Sequence, residues 1–208
     1  MTDGKFTVFL VDDDAGVLKA LSRLLQVRGY EIQAFTSPQA FLTDHDASLP
    51  GCVVLDVSMP DLDGLELQQA LTAEGSQRPV IFLTGRGDIP TSVRAMRAGA
   101  IDFLTKPVDD SDLLTAIARA EREDAETRSA LADLDSVCAR FAHLTPREHE
   151  VMTHVIAGRL NKQIAGDLGT VEKTIKVHRG RVMSKLGVRS VAELVRLAEK
   201  AGISRNGA

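Results

Sequence analysis

Residues 8–17 read VFLVDDDAGV. Four apolar residues, the mark of a buried strand, run straight into Asp12, Asp13 and Asp14. Adjacent carboxylates repel one another, and any that become buried need a partner. A strand that ends this way predicts a site at its carboxyl end. Working outward, five short apolar runs recur: TVFLV (7–11), EIQAF (31–35), CVVLDV (52–57), PVIFLT (79–84) and IDFLT (101–105). Helical patterns lie between them. Val17, Leu18, Leu21, Leu24 and Leu25 repeat at helical spacing before Gly29, and Ser37-Pro38 reads as an N-cap followed by Pro at the first helical position. Gly64 opens GLELQQALTA, Pro90 opens PTSVRAMRAG, and Asp109 or Ser111 caps DLLTAIARA. Five strand–helix units in a row predict a parallel sheet with helices on both faces.

Charge divides the chain. Residues 145–208 hold 12 Lys and Arg against 6 Asp and Glu, whereas residues 1–144 hold 13 against 23. An acidic N-terminal part suits cations and a basic C-terminal part suits a polyanion such as nucleic acid, which predicts two domains with different partners. No apolar run spans a bilayer, and MTDGKFTVFL lacks the regions of a signal peptide, so a cytoplasmic protein without membrane association is expected. Cys52 and Cys138 are too few for a disulfide framework or zinc site and are expected to be buried thiols. The five His are scattered, and no role is assigned to them.

From Val108 to Thr145 there is neither Gly nor Pro. One long helix is predicted, or two with a weak break near residue 124. Leu131, Leu134, Cys138 and Phe141 recur at heptad-like spacing, which suits pairing with a second chain or packing on the C-terminal part. Beyond it, four helices are predicted over 145–158, 161–169, 170–187 and 190–202. Thr145, Pro146 and Glu148 make a capping box, and the very short turn between the second and third helices is helix-turn-helix spacing. TVEKTIKVHRGRVMSKLG directs Lys173, Lys176, Arg179 or Gly180, and Arg181 to one side, with Val171, Ile175, Val182 and Leu186 on the other. The apolar side packs while the basic side is free to enter a major groove.

In a doubly wound sheet, ligands bind at the carboxyl ends of the strands. Asp12 and Asp13, Asp56, Thr84 and Lys106 all fall there. Carboxylates with open water positions suit Mg²⁺, with Mn²⁺ a substitute, and Asp56 is then placed as a nucleophile toward a phosphoryl group. VDDD, LDVSMPDLDG, LTGRGD and DFLTKP, in this order and spacing, resemble the receiver domain of two-component response regulators over about 120 residues. TGRGDIP…VRAMRAGAIDFLTKP is similar to the FixJ-like subgroup. The resemblance implies a flavodoxin-like doubly wound five-stranded parallel sheet of order 2-1-3-4-5. It implies Asp56 as phosphoacceptor and Asp13, Asp56 and the Ser58 backbone carbonyl as direct Mg²⁺ ligands, with Asp12 acting through water. Thr84 and Phe103 become the switch pair, and Lys106 the phosphate anchor ahead of a cis bond to Pro107. Asp14 is read instead as the N-cap of the following helix. Arg86 departs from the pattern and is expected to face solvent.

NKQIAGDLG, TVEKTIKVHRGRVMSKLG and KLGVRSVAELV resemble the LuxR/NarL-type helix-turn-helix over about 60 residues. Carried over, Lys176, Val177 and Gly180 take base-facing positions. Lys162, Thr174, Arg179, Lys185 and Arg189 take phosphate-contacting ones, with Arg181 also on the DNA side. Gly180 replaces the longer polar residue expected there; either the backbone approaches DNA closely or Arg179 and Arg181 take over readout. The resulting organisation is a receiver at 1–122, a helical linker at 123–142 and an all-α four-helix DNA-binding domain at 143–208. The expected function is a transcription factor, not an enzyme: a sensor histidine kinase phosphorylates Asp56, a homodimer forms through the 90–99 and 101–105 face, and the dimer binds a double-stranded operator. Activation through RNA polymerase is the family-level expectation. Two rivals are a Mg²⁺-dependent phosphohydrolase, for which no second acid–base carboxylate is placed, and a constitutive DNA-binding protein with a vestigial receiver, against which all the pocket residues stand.

Overall fold

The computed structural model describes residues 5–60, 62–85 and 89–203. They form two compact units, which part between Arg128 and Ser129. In the first, β1 (Thr7–Val11), α1 (Ala15–Val27), β2 (Glu31–Phe35), α2 (Pro38–Asp44), β3 (Gly51–Asp56), α3 (Gly64–Ala73), β4 (Val80–Thr84), α4 (Ile89–Arg97) and β5 (Asp102–Thr105) alternate, and α5 (Asp110–Ala142) follows. The strands make one parallel sheet of order β2-β1-β3-β4-β5. Alternation along the strands sends Val8, Leu10, Val54, Ile81 and Leu83 to one face, against α1 and α5. Phe9, Val53, Leu55 and Phe82 go to the other, against α2, α3 and α4. With both faces covered, the three central strands are buried throughout.

Local chemistry sets the helix starts. Asp14 lies in extended conformation and its carboxylate accepts the Gly16 N–H at 2.7 Å and the Val17 N–H at 3.3 Å, so it caps α1 as expected. Ser37 caps α2 ahead of Pro38. Asp63 and Glu66 make a capping box for α3. Gly64 is needed there because a Cβ would lie 2.4 Å from the Asp56 carbonyl oxygen; the helix start is pressed against the end of β3.

α5 is a single 33-residue helix, without a break at residue 124. In the first unit Leu113, Ala116, Ile117 and Ala120 pack on the sheet, and Asp124, although charged, is buried. Arg128 approaches both Asp124 oxygens at 3.0 Å and donates to the carbonyls of Ser48, at 2.8 Å, and Leu49. In the second unit Val137 and Phe141 enter the core. Leu131, Leu134 and Cys138 are exposed. This corrects the expectation of two buried thiols: Cys52 is buried, but Cys138 is turned about 100° from Val137 on the helix and faces away from the packed side.

The second unit adds α6 (Pro146–Ile156), α7 (Asn161–Asp167), α8 (Glu172–Leu186) and α9 (Val191–Lys200). Met152, Val155, Ile164, Ile175, Val182, Leu186 and Leu194 form its core. Among the described residues no helix is long and apolar enough to cross a membrane.

Candidate functional site

Three strand ends converge in the first unit. Asp12 follows β1, Asp56 ends β3 and Lys106 follows β5; parallel pairing of β1 with β3 and of β4 with β5 brings them to one rim. The Lys106 Nζ lies 2.6 Å from Asp12 Oδ2 and 3.2 Å from Asp56 Oδ2. Asp12 Oδ1 accepts the Asp14 N–H at 2.9 Å. One oxygen each of Asp12, Asp13 and Asp56 lie within 4.8 Å of one another, with Asp12 and Asp56 buried and Asp13 exposed. Asp56 Oδ1 is buried and, among the described residues, has no hydrogen-bond partner. Burial pushes the Asp56 carboxyl up, and the Asp12 charge adds to this against the pull of Lys106 and the Ser58 N–H. Burial pulls the Lys106 ammonium down, but the two carboxylates outweigh it and its net shift is upward. The site is thus two buried acids bridged by one ammonium, with an exposed third acid beside them and, among the described residues, one carboxylate oxygen without a partner.

Thr84, the last residue of β4, is buried. Its carbonyl accepts the Lys106 N–H at 2.7 Å, and the peptide bond from Lys106 to Pro107 is cis. Phe82 and Phe103 are opposite in register, with rings 6.1 Å apart, so Thr84 and Phe103 share the sheet face that carries α4. Ser58 lies two residues beyond β3. Arg86 lies outside the described residues.

In the second unit α7 and α8 are joined by the short turn expected. The solvent face of α8 carries Lys173, Lys176, Val177, Gly180, Arg181 and Ser184, all exposed, at the 3–4 spacing of one helix side. Extending that spacing from Lys173 finds Ser184 as well. Lys162 on α7 and Arg189 beyond α8 are also exposed, and Thr174 is half-buried. Two expected DNA-side cations are engaged within the unit. Arg179 donates to Asn161 Oδ1 at 3.1 Å, and Lys185 Nζ lies 2.6 Å from Glu148 Oε2 and 3.1 Å from the His143 carbonyl. Val171 is not on the packed side of α8. As the extended N-cap residue it lies outside the helical register, and it is exposed.

An α/β domain with an acid–lysine pocket at its strand ends, followed by a helix-turn-helix with a basic reading face, defines a phosphorylation-type receiver joined to a DNA-binding output. Comparisons with known proteins agree. Residues 8–118 match the model of the response regulator receiver domain, and residues 142–198 match that of the bacterial regulatory proteins of the luxR family. The chain is 43% identical to nodulation protein W of Bradyrhizobium diazoefficiens over 97% of its own length and 89% of that protein's. It is 42% identical to the transcriptional regulatory protein FixJ of the same organism, covering 94% of this chain and 96% of FixJ. Among solved structures, the response regulator StyR matches with a TM-score of 0.83 at 47% identity, covering 94% of this chain and 99% of StyR. Full-length FixJ from B. japonicum matches with a TM-score of 0.56 at 42% identity, covering 98% and 100%. The chain belongs to the two-component response regulators that join a receiver to a LuxR-type helix-turn-helix domain, the family of FixJ and TodT.

Proposed function

We propose that this response regulator accepts a phosphoryl group on Asp56 from a sensor histidine kinase, and that the modification controls dimerisation and binding to a double-stranded operator. The observation that carries this reading is the Lys106 ammonium bridging Asp12 and Asp56 from three different strand ends. Asp56 Oδ1, buried and without a hydrogen-bond partner among the described residues, is the oxygen available to bond to phosphorus as the bond from phosphorus to the donor histidine nitrogen breaks. Lys106 would move from the carboxylates to a phosphoryl oxygen, and the Thr84 hydroxyl would take another. The donor set fits Mg²⁺ or Mn²⁺: carboxylate oxygens are hard donors, and one each from Asp12, Asp13 and Asp56 lie within 4.8 Å of one another. Asp13, Asp56 and the Ser58 carbonyl would hold the ion directly and Asp12 through water. When bound, it offsets the acids' repulsion and the charge that develops on the phosphoryl oxygens.

A cavity of about 430 Å³ beside Lys106, lined by Val17, Leu21, Leu24, Pro107 and Val108, supports docking of the kinase next to the acceptor. Phosphorylation would reach α4 and β5 through Thr84 and Phe103. Val93 and Met96, exposed on α4, support a homodimer on that face. Such a dimer places two copies of α8 on the half-sites of an operator. Lys176, Val177, Gly180 and Arg181 would face bases. Lys162, Thr174 and Arg189 would meet phosphates, as would Arg179 and Lys185 on exchanging their present partners. We assign residues 1–122 to the receiver, 123–142 to the linking helix and 143–208 to DNA binding. Within the first unit Arg128 donates to the Ser48 and Leu49 carbonyls, and within the second Val137 and Phe141 enter the core. The protein acts in the cytoplasm, as an activator that recruits RNA polymerase.

The experiment is Mg²⁺-dependent labelling of the full chain with acetyl phosphate, read by intact mass. The reading requires one phosphoryl group on the wild type and none on Asp56→Asn. Undiminished labelling of the variant would overturn the assignment of Asp56.

A further inference from the structure

We infer that Gly180 leaves a notch in the recognition face of α8 that seats the C5-methyl group of an operator thymine, with Val177 as its wall. The inference rests on the reading of α8 as the base-reading helix and adds what it reads. Glycine is the poorest helix former after proline, and Gly180 stands in the interior of Glu172–Leu186. Among the described residues nothing asks for it: a Cβ built on Gly180 meets no atom within 4 Å. Its backbone is ordinary right-handed helix, without the positive φ found at Gly169 and Gly187. A costly residue with no internal reason points to a partner outside the fold.

The surroundings identify that partner. Lys173, Lys176 and Arg181 rim the position and, among the described residues, none has a carboxylate in ion-pair contact. The rim therefore suits a polyanion. One turn before Gly180, Val177 is 48% exposed, an apolar side chain held out of the core on a cationic face. Bare backbone beside it leaves open space that an apolar group on a base edge could fill against Val177. In the major groove the thymine methyl is the one apolar group that a base edge offers. Arg179, the alternative reader for this position, is turned to Asn161 at 3.1 Å instead.

The test uses the full chain treated with acetyl phosphate and a randomised duplex library. The selected duplex is then synthesised with deoxyuridine replacing each thymidine in turn, which removes only the methyl group. One replacement should weaken wild-type binding about fourfold, the size of one buried methyl lost from contact. Gly180→Ala fills the notch. It should bind the thymidine duplex about tenfold more weakly than wild type, and the same deoxyuridine should now strengthen binding rather than weaken it. Gly180→Ala should also melt at or above the wild-type temperature, since alanine favours the helix. A lower melting temperature would show that the fold itself needs glycine and would overturn the inference. So would deoxyuridine effects below about twofold at every position, or equal effects on both proteins. If no duplex is enriched, the DNA-reading assignment of α8 falls, and the notch with it.

Discussion

Replacing Glu148 by Gln tests how the DNA-binding unit is held together. The Glu148 side chain is almost wholly buried and receives Lys185 Nζ at 2.6 Å and the Thr145 N–H at 2.9 Å. The Lys185 ammonium, then the Thr145 backbone, lower its carboxyl from 4.5 to about 2. Because the folded value lies below the unfolded one, this interaction contributes fully above about pH 4.5 and is lost as pH falls toward 2. The gap corresponds to about 3 kcal/mol, and the partial exposure of Lys185 reduces this to about 2 kcal/mol. Glutamine keeps the capping-box hydrogen bond to Thr145 and removes only the charge. Glu148→Gln should therefore lower the stability of the C-terminal unit by about 2 kcal/mol at pH 7, and the deficit should shrink steadily below about pH 4.5. Urea unfolding followed by far-UV circular dichroism measures it. The chain has no Trp, and its single tyrosine, Tyr30, lies in the receiver, so tyrosine fluorescence follows the receiver alone and should not change. Equal stability at pH 7, or a deficit that stays constant down to pH 3, would refute the reasoning.

Other consequences are measurable. Asp13→Ala should weaken Mg²⁺ affinity at least about tenfold in isothermal titration, whereas Asp14→Ala should leave it nearly unchanged and cost about 1 kcal/mol of stability through loss of the α1 cap. The reverse order would mean that the two acids were assigned wrongly. Arg128→Ala leaves the buried Asp124 without its ion partner and the Ser48 and Leu49 carbonyls without a donor. It should destabilise the receiver by about 2 kcal/mol, the side-chain exposure of Arg128 keeping this below the value for a fully buried pair, and it should speed amide exchange in α5 around residue 124.

The sheet and its site were legible in the sequence because local signals and global topology coincide. The strand runs are apolar and short, the caps at Asp14, Ser37 and Thr145 are strong, and the pocket residues at 12, 13, 56, 58, 84 and 106 stand within two residues of a strand end. What was not legible depends on partners distant in the chain. Arg128 closes the charged run EREDAETR (121–128), in which nothing local marks a partner, yet it reaches carbonyls at residues 48 and 49. Lys185 reads as a free cation on a basic helix until folding brings it to Glu148, 37 residues earlier. Val171 has the right spacing for the packed side of α8, but one residue of N-cap geometry removes it from that register. Cys138 fits a heptad stripe, and only the neighbouring Val137 shows which side of α5 is buried.

The most direct measurement is the affinity of the full chain for its selected operator duplex, with and without acetyl phosphate, in wild type and Asp56→Asn. Phosphorylation of the wild type should tighten binding, with a dimer seen on the duplex, and Asp56→Asn should not respond. Equal affinity in all four conditions would contradict it and identify a constitutive DNA-binding protein whose acid pocket does not govern its output.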